Sequence, residues 1–503
     1  MSDLAVATPL LHRTATRFAT AALAGGLLHV AFPPRTVWWT AILAFAGLWW
    51  AVSGVRARRA AAVGFVFGLV FFLLHLRWID DFLGRDFGPA PWVVLSALMA
   101  LFVAGACALM PRVARLPGGP VWAALLFVLQ ETARGRLPFN GFPWGRVAFG
   151  QVEGPYLPLA AVGGAPLVSF AVVVTGFGAA AWALGARDVR RPWPVLPLVA
   201  ALAVTPLVDV AAQDGVRTVA VVQGNAPDVG LGLMGRRDEV RRDHLRATAA
   251  LASAIRAGTT PVPDLVVWPE SATSTGARDP ELDRAVADLG VPTLIGALRR
   301  DENAVIAWDP VTGAGDSYAK QELVPFAEHI PLRPLARLVT PFADAPDLRA
   351  GTRPGVLDVA NTRVGVGICY EVAYDGVLRE SAANGAAVFV VPTNNAWYGR
   401  GEMTYQQLAM ARLRAVEHGR AVVVAAISGV SAVVRPDGGV VRSTGMFTAA
   451  TLVDTVPLRS STTPATRWGG YLEVLFTLAA LWPVLSARTV LRCRDAVRRG
   501  PRR

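Results

Sequence analysis

The chain has 503 residues, of which 53% are hydrophobic and 17% are charged, and its mean hydropathy is +0.41. Soluble proteins carry about 25% charged residues, so this composition excludes an ordinary soluble enzyme and favours a membrane protein with a soluble part. The net charge of +12 does not indicate a nucleic-acid partner, because residues 216–460 hold 25 basic and 26 acidic residues. The basic excess therefore flanks apolar segments, as in membrane proteins.

Eight apolar segments are candidate membrane spans, since a helix needs about 20 apolar residues to cross a bilayer. They predict an N-terminal membrane domain at 1–215 with about seven transmembrane helices, a soluble domain at 216–460, and a last span with an Arg-rich tail at 461–503. The first segment lacks the cleavage site of a signal peptide, and the fifth is short. The segments are 17–33, 37–55, 60–76, 91–110, 118–131, 160–185, 193–211 and 468–487.

Arginine placement predicts how these spans are oriented. With eight spans, seventeen flanking arginines fall on one side of the membrane and seven on the other. The positive-inside rule places the arginine-rich side, and with it both termini, in the cytoplasm. We therefore expect a multi-pass protein of the cell membrane whose 216–460 domain lies on the extracytoplasmic face.

The soluble domain alternates β-rich runs with helix-like stretches. Runs such as VRTVAVVQG, PDLVVWPE, TRVGVGICYE and AAVFVVPTNNAW are separated by stretches such as DEVRRDHLRATAALASAIRAG and TYQQLAMARLRAVEHG. Because these runs are apolar on both faces, they predict an α/β domain in which helices cover a sheet.

Metal and disulfide chemistry are not indicated. The three cysteines, Cys107, Cys369 and Cys493, form no CxxC pair, and the six histidines are scattered without metal-ligand spacing. We expect no metal and no cofactor.

Two residues at the ends of apolar runs are candidates for chemistry. Cys369 ends the run VGVGIC at a plausible strand-to-helix turn, where a nucleophile would be exposed beside backbone N–H groups. Glu270 ends DLVVWPE, a suitable place for a general base. The alternatives are a buried structural cysteine and an ordinary loop carboxylate.

Lys320 is the only lysine in a chain in which Lys and Arg together number 49. Where only a positive charge is needed, this chain uses arginine. Lysine differs because its ammonium is compact and its pKa shifts readily on burial, which suits an oxyanion-stabilising group. The alternative is coincidence. Pairing of Cys369 with Lys320 and Glu270 would favour a reactive thiolate.

Four segments, WPES, YAKQELVPFAEHIP, GICYE and PTNNAWYG, resemble the carbon–nitrogen hydrolase (nitrilase) superfamily. With the spans and FNGFPWG at 139–145, they resemble its membrane branch, which acylates bacterial lipoproteins. The resemblance implies an αββα sandwich for the external nitrilase-like domain. It also implies a role for each matching residue. Cys369 is the nucleophile, Glu270 is the general base and Lys320 is the catalytic lysine. Glu328 is a second essential glutamate, and Tyr370 and Glu371 are the supporting pair that follows the cysteine.

The resemblance also implies a reaction. The cysteine takes an acyl chain from a membrane phospholipid as a thioester, and the α-amine of an S-diacylglyceryl cysteine on an apolipoprotein then accepts it. The implied partners are these two substrates and the lipid bilayer, and we expect a monomer. The chain departs from the family pattern at Ala327, Gln407 and Ile427, which affects substrate contacts more than reaction type.

A Gly-flanked segment after PTNNA is a candidate lid or lipid entrance. Trp397 and Tyr398 begin it, and Met403 and Tyr405 would contact the bilayer; the alternative is a surface turn. Further along, Arg414, Glu417 and Arg420 have the spacing of a structural charge cluster on a helix.

Two other functions remain open at this point. A membrane-tethered amidase would release the acyl group to water, but eight spans are more than a tether requires. A receptor or transporter would place more ionisable residues within its spans than this chain does.

Overall fold

The computed structural model describes residues 3–185, 194–226, 229–276, 278–338 and 341–498. Its helices are α1 Asp3–Val30, α2 Thr40–Val52, α3 Ala57–His75, α4 Arg77–Phe87, α5 Ala90–Val113, α6 Gly119–Arg134, α7 Ala160–Ala183, α8 Leu196–Val204, α9 Arg237–Arg256, α10 Pro280–Leu289, α11 Arg333–Ala336, α12 Asp375–Ala383, α13 Met403–His418 and α14 Pro464–Arg498.

The strands all lie between residues 216 and 457 of the described chain. They are β1 Val216–Gln223, β2 Leu265–Val267, β3 Thr273–Ser274, β4 Thr293–Arg299, β5 Glu302–Asp309, β6 Gly313–Ala319, β7 Val356–Val359, β8 Thr362–Val366, β9 Val388–Thr393, β10 Val422–Ala426, β11 Ala432–Val434, β12 Val440–Ser443 and β13 Ala450–Pro457.

A helix lies at each of the eight candidate spans, and four of the described helical stretches are long and apolar enough to cross a membrane: 57–75, 90–113, 157–183 and 464–486. The protein is therefore a membrane protein. Its orientation stays a prediction, and the arginines at 187, 190 and 191 and in the last five residues lie outside the described residues.

Two helices differ from the expectation. The span predicted at 193–211 forms only the nine-residue α8 followed by a 3-10 turn, about 14 Å of helix against a hydrocarbon core of about 30 Å. Helix α8 nevertheless lies antiparallel to α7. Pro194, just before α8, lies beside Gly178 of α7, and α8 contacts the turn that precedes α7. Helix α4 was not predicted, since its charged sequence RWIDDFLGRDF lacks a long apolar run.

Small residues let the membrane helices approach one another closely. A Cβ on Gly176 of α7 would lie 2.7 Å from the carbonyl oxygen of Ile42 on α2, so only glycine permits this contact. Helix α7 is also kinked at Gly163 and Gly164, where the backbone leaves helical geometry. A Cβ on Gly164 would lie 2.6 Å from a carboxylate oxygen of Glu417, so the kink allows the α/β domain to pack against this helix.

The strands form two sheets. The first has the order β13-β1-β2-β4-β5-β6, with β3 beside β4, and the second has the order β12-β11-β10-β9-β8-β7. Parallel pairs at β1-β2, β2-β4, β8-β9 and β9-β10 bring the carboxyl ends of several strands to the same edges.

The two sheets face each other across a core of valines and leucines contributed by both, including Val221, Val267, Val366 and Val390. Helices α9 and α10 cover the outer face of the first sheet, and α12 and α13 cover that of the second. This arrangement is an αββα sandwich and confirms the expected fold class. The layer of α12 and α13 shares one apolar core with the membrane helices, so the two regions pack directly on each other.

Candidate active site

Glu270, Lys320 and Cys369 each follow a strand and meet at one edge of the sandwich. Glu270 comes three residues after β2, Lys320 follows β6 directly, and Cys369 begins a 3-10 turn after β8. The first two belong to one sheet and the third to the other. All three side chains are buried, with residue exposures of 5%, 1% and 5%, so the site excludes bulk water.

Lys320 lies between two carboxylates. Its Nζ is 3.0 Å from Oε1 of Glu270 and 3.0 Å from Oε2 of Glu328. The amide of Asn303 donates to both glutamates at 2.7 Å, and the backbone N–H of Asn394 donates to the other oxygen of Glu270 at 2.9 Å. The carboxylates are thus held in place by fixed donors. Nζ of Lys320 also lies 3.1 Å from Oε1 of Glu328, nearly as close as Oε2, so one N–H is shared by the two oxygens of that carboxylate. A second N–H is directed at Glu270, and the third is the one that can face a reacting atom.

These contacts set the ionisation of the site. Burial raises the pKa of Glu270, but the Lys320 ammonium and hydrogen bonds outweigh burial and hold that pKa below its usual value. Burial lowers the pKa of Lys320, but the charges of Glu270 and Glu328 hold it well above its usual value. A carboxylate and an ammonium are therefore the resting forms.

Cys369 is a neutral thiol at rest, contrary to the expected thiolate. Burial and the negative charge of Glu270 raise the pKa of this thiol to about 12, although the charge of Lys320 opposes them. Pairing with Lys320 and Glu270 predicted a lower pKa for this thiol. The desolvation of a buried sulfur is not visible in the sequence, and the charge of Glu270 acts in the opposite direction to the one expected.

Glu371 joins the turn of the cysteine to the segment of the lysine. One carboxylate oxygen accepts from the backbone N–H of Ile368 at 2.6 Å, and the other accepts from the Tyr318 hydroxyl at 2.8 Å and the Gln321 backbone N–H at 2.7 Å. Cys369 itself has φ +52°, a left-handed conformation that a non-glycine residue adopts at a cost. The hydrogen bonds of Glu371 hold this strained turn in place.

Tyr370 and the neighbouring Tyr374 fasten the site to the membrane domain. Their hydroxyls donate to the carbonyl oxygens of Gly141 and Asn140, both at 3.2 Å, and the ring of Tyr370 stacks on Trp144. The FNGFPWG segment at 139–145 therefore lies directly against the turn of the cysteine.

Three further polar residues line the site. Asn303 bridges the glutamates as described, and Thr393 and Gln407 contact the sulfur of Cys369 at 3.2 and 3.5 Å. The sequence alone does not point to Asn303 or Thr393, and Gln407 stands out in it only as a departure from the family pattern. An available signal was a polar residue within an apolar strand, as in ENAVIAW and VFVVPT.

The candidate lid packs against α4. Tyr398 makes edge contacts with the rings of Trp78 and Phe82, and Trp397 contacts Phe82. Met403 is only 2% exposed and its sulfur accepts from Asn395, so it does not face lipid in this conformation. Tyr405 is partly exposed. Among the described residues, no group of three or more His, Cys, Asp or Glu side chains could hold a metal ion.

Comparisons with known proteins cover both regions of the chain. Residues 24–178 match the model of the apolipoprotein N-acyltransferase N-terminal domain, and residues 218–463 match the carbon-nitrogen hydrolase model. The chain is similar to proteins named apolipoprotein N-acyltransferase from several bacteria. The one from Mycolicibacterium smegmatis is 37% identical over 93% of this chain and 84% of its own, and the one from Ralstonia nicotianae is 33% identical over 95% of each. The one from Pseudomonas putida is 28% identical over 92% and 96%.

Proposed function

This chain belongs to the apolipoprotein N-acyltransferase family, and we propose that it acylates lipoproteins through a thioester on Cys369. Glu270 acts as general base, Lys320 stabilises the oxyanion, and Glu328 holds Lys320 in place. The observation that carries this assignment is the burial of a thiol, a carboxylate and an ammonium at one edge of the sandwich, directly above the membrane-domain segment 139–145.

In the first half-reaction, the sulfur of Cys369 attacks the ester carbonyl of a phospholipid while its proton passes to Glu270. The carbonyl oxygen becomes an oxyanion and accepts a hydrogen bond from the third N–H of Lys320. When the tetrahedral intermediate collapses, the C–O bond breaks and the proton on Glu270 passes to the leaving lysophospholipid oxygen. Because the thiol is neutral at rest, this proton transfer is part of the attack.

In the second half-reaction, the α-amine of the diacylglyceryl cysteine attacks the thioester carbonyl. Glu270 accepts a proton from that nitrogen, Lys320 again holds the oxyanion, and the C–S bond breaks. The departing sulfur takes the proton back from Glu270, so the enzyme regains its resting state with an amide as product. Each proton that Glu270 accepts is returned within the same half-reaction.

The partners follow from this scheme. The acyl donor is a membrane phospholipid, the acceptor is a diacylglyceryl apolipoprotein, and the enzyme works as a monomer in the bilayer without nucleic acid. Trp397, Tyr398 and Tyr405 border the lipid entrance. Arginine placement supports an enzyme of the cytoplasmic membrane with both termini in the cytoplasm and the 216–460 domain on the extracytoplasmic face.

The test is mass spectrometry of the Cys369 peptide after the full-length enzyme is incubated with phospholipid micelles alone. We expect a fatty-acyl adduct on Cys369 that disappears when a diacylglyceryl-cysteine peptide is added. Cys369→Ala should lose both the adduct and the transfer, whereas Cys107→Ala, which removes a thiol buried among the membrane helices, should keep them.

Transfer by the Cys369→Ala enzyme would refute the covalent route. Release of free fatty acid in the presence of the acceptor, without amide formation, would instead support an amidase-type hydrolysis.

A further inference from the structure

The sulfur of Cys369 has two polar neighbours that the scheme above does not use. Oγ1 of Thr393, at the end of β9, lies 3.2 Å from the sulfur, and Nε2 of Gln407, on the second turn of α13, lies 3.5 Å from it. Both residues are buried, with exposures of 1% and 2%. Polar side chains this deeply buried are normally hydrogen-bonded, so the geometry of their partners is informative.

The orientation of Gln407 is fixed by a third residue. Its Oε1 accepts from Nδ2 of Asn395 at 2.9 Å and from the Thr393 hydroxyl at 2.9 Å. Because Oε1 faces these two donors, the amide N–H of Gln407 is left to face the sulfur. Asn395 thus acts on the sulfur only through Gln407.

Thr393 has a single hydroxyl proton but two acceptors within reach, Oε1 of Gln407 and the sulfur. If that proton turns to the sulfur, Oε1 of Gln407 keeps its hydrogen bond from Asn395 and is not left unpaired. The hydroxyl can therefore change partner at little cost. The hydrogen bond to the sulfur is the stronger of the two only when the sulfur is negatively charged, since hydrogen bonds to charged groups are stronger than those to neutral ones.

We propose that Thr393 and Gln407 are catalytic residues that donate hydrogen bonds to the sulfur whenever it carries negative charge, with Asn395 as the positioning residue. This inference rests on the proposed function of Cys369 as nucleophile. The sulfur becomes negative as its proton leaves at the start of the first half-reaction and again as the C–S bond breaks in the second. The same two donors therefore assist both thioester formation and thioester breakdown.

Ionisable groups also act on this sulfur. Glu270 and Lys320 face it from the first sheet, and Tyr398 lies on the side of the candidate lid. These groups are the same in the wild type and in the variants below. A difference in thiol reactivity between wild type and variant therefore reports on Thr393 or Gln407.

The experiment measures alkylation of Cys369 by iodoacetamide as a function of pH, with modification of the Cys369 peptide counted by mass spectrometry. Below the pKa of a thiol, its alkylation rate follows the thiolate fraction, so the rate at a given pH reports on stabilisation of the negative sulfur. No lipid is needed. The full-length enzyme is used throughout, and its thermal unfolding is recorded alongside.

We expect Thr393→Val to slow alkylation about 10-fold at every pH below the pKa, and Thr393→Ser to restore the wild-type rate. Gln407→Met, which keeps the length of the side chain but removes the donor, should slow alkylation by a similar factor. Asn395→Ala should slow it less and add nothing in the Gln407→Met background, because it acts through Gln407. The matched control is Thr293→Val: Thr293 is also buried, but its hydroxyl bonds the Val291 carbonyl.

Wild-type alkylation rates in both Thr393→Val and Gln407→Met would overturn the inference, even if acyl transfer fell. Slowed alkylation with recovery in Thr393→Ser would support it. The two proposals fail separately: a missing acyl adduct on the wild type would refute the thioester route while leaving the alkylation result as it stands. If Thr393→Val does not fold, Gln407→Met alone decides.

Discussion

Two ionic clusters in this protein both pair basic side chains with carboxylates, but they differ in whether a hydrogen-bond donor is left for a further partner. The site cluster consists of Glu270, Lys320 and Glu328, at the edge of the sandwich. The interface cluster consists of Arg146, Asp375, Arg414 and Glu417, between the membrane domain and helices α12 and α13. Arg146 binds Asp375 at 2.5 Å, Arg414 binds Asp375 at 2.8 Å, and Arg414 also binds Glu417.

The interface cluster is fully engaged at Arg414. Two guanidinium groups bind two carboxylates, and Arg379 lies 3.9 Å from Glu417. Arg414 also donates to the carbonyl oxygens of Val372 at 2.9 Å and Ala373 at 3.0 Å. These two carbonyls belong to the turn that begins at Cys369. All three nitrogens of the Arg414 guanidinium are thus committed to fixed acceptors, which suits its planar fork.

In the site cluster, the carboxylates outnumber the cation, and one hydrogen-bond donor is available to a substrate. One ammonium binds two carboxylates and, in the proposed mechanism, presents its third N–H to an oxyanion, beside a thiol that loses its proton. We propose that this difference is the reason why a chain that uses arginine at every other Lys or Arg position has a lysine here. Arginine fixes an interface, whereas a compact ammonium can hold two partners and still receive a third.

Lys320→Arg is the most severe test of this contrast. The charge is kept, but a planar guanidinium does not fit between Glu270 and Glu328 while presenting a donor to the oxyanion. Loss of an oxyanion donor costs about 10²–10³-fold in rate, and we expect a loss of about 10³-fold in acyl transfer. The measurement is transfer to a diacylglyceryl peptide, with thermal unfolding as the control for folding. An active Lys320→Arg enzyme would make the lysine a coincidence.

Glu328→Gln tests whether the second carboxylate acts through Lys320. The amide keeps an acceptor oxygen for the ammonium but removes the negative charge, so Lys320 is held less firmly. We expect acyl transfer to fall about 10-fold, less than for Lys320→Arg, with thioester formation and breakdown slowed alike. Slowing of only one half-reaction would indicate that Glu328 contacts a substrate instead.

Arg414→Lys is the reverse exchange, in the interface cluster. A lysine cannot reach the two carbonyls and the two carboxylates together, so we expect a loss of about 2–3 kcal/mol in the free energy of unfolding. Activity of the folded enzyme should fall much less than in Lys320→Arg. Thermal unfolding and transfer rates on the same preparations separate the two effects. A stable but inactive Arg414→Lys enzyme would show that this cluster also has a chemical role.

Tyr374→Phe removes one hydrogen bond between the catalytic and membrane regions, from the Tyr374 hydroxyl to the carbonyl oxygen of Asn140. A single neutral hydrogen bond contributes about 1 kcal/mol. We expect a small decrease in thermal stability and at most a fewfold change in transfer. A large loss of transfer at unchanged stability would mean that this hydroxyl takes part in the reaction.

The smallest effect concerns pH. Because Lys320 and Asn303 hold the pKa of Glu270 below its usual value, the base remains ionised below a pH of about 4.3, the value for an ordinary glutamate. Glu270 loses its ability to accept a proton only as the pH falls through that lowered pKa. We expect the rate of thioester formation at pH 5 to equal that at pH 6 within about twofold. A decrease centred between these values would show that the pKa of the base is raised.

Much of this site could be predicted from the sequence because its main residues sit in local patterns. Glu270 and Cys369 follow apolar runs that become strands, and Lys320 stands out by composition alone. The αββα fold followed from resemblance, and the alternation of apolar runs and helical stretches was itself sufficient for an α/β domain. Helix α4 escaped prediction because a short charged helix has no long apolar run, and α8 was overestimated because hydropathy measures composition, not helix length.

The sequence by itself singled out the groups that we propose carry the chemistry and placed them in a chain with membrane spans. Only the tertiary structure decided their ionisation and their neighbours. The thiol of Cys369 is neutral because it is buried next to Glu270, and burial is a property of packed layers rather than of adjacent residues. Asn303, Thr393 and Gln407 reach the site from β5, β9 and α13, elements whose side chains meet only after the two sheets pack face to face.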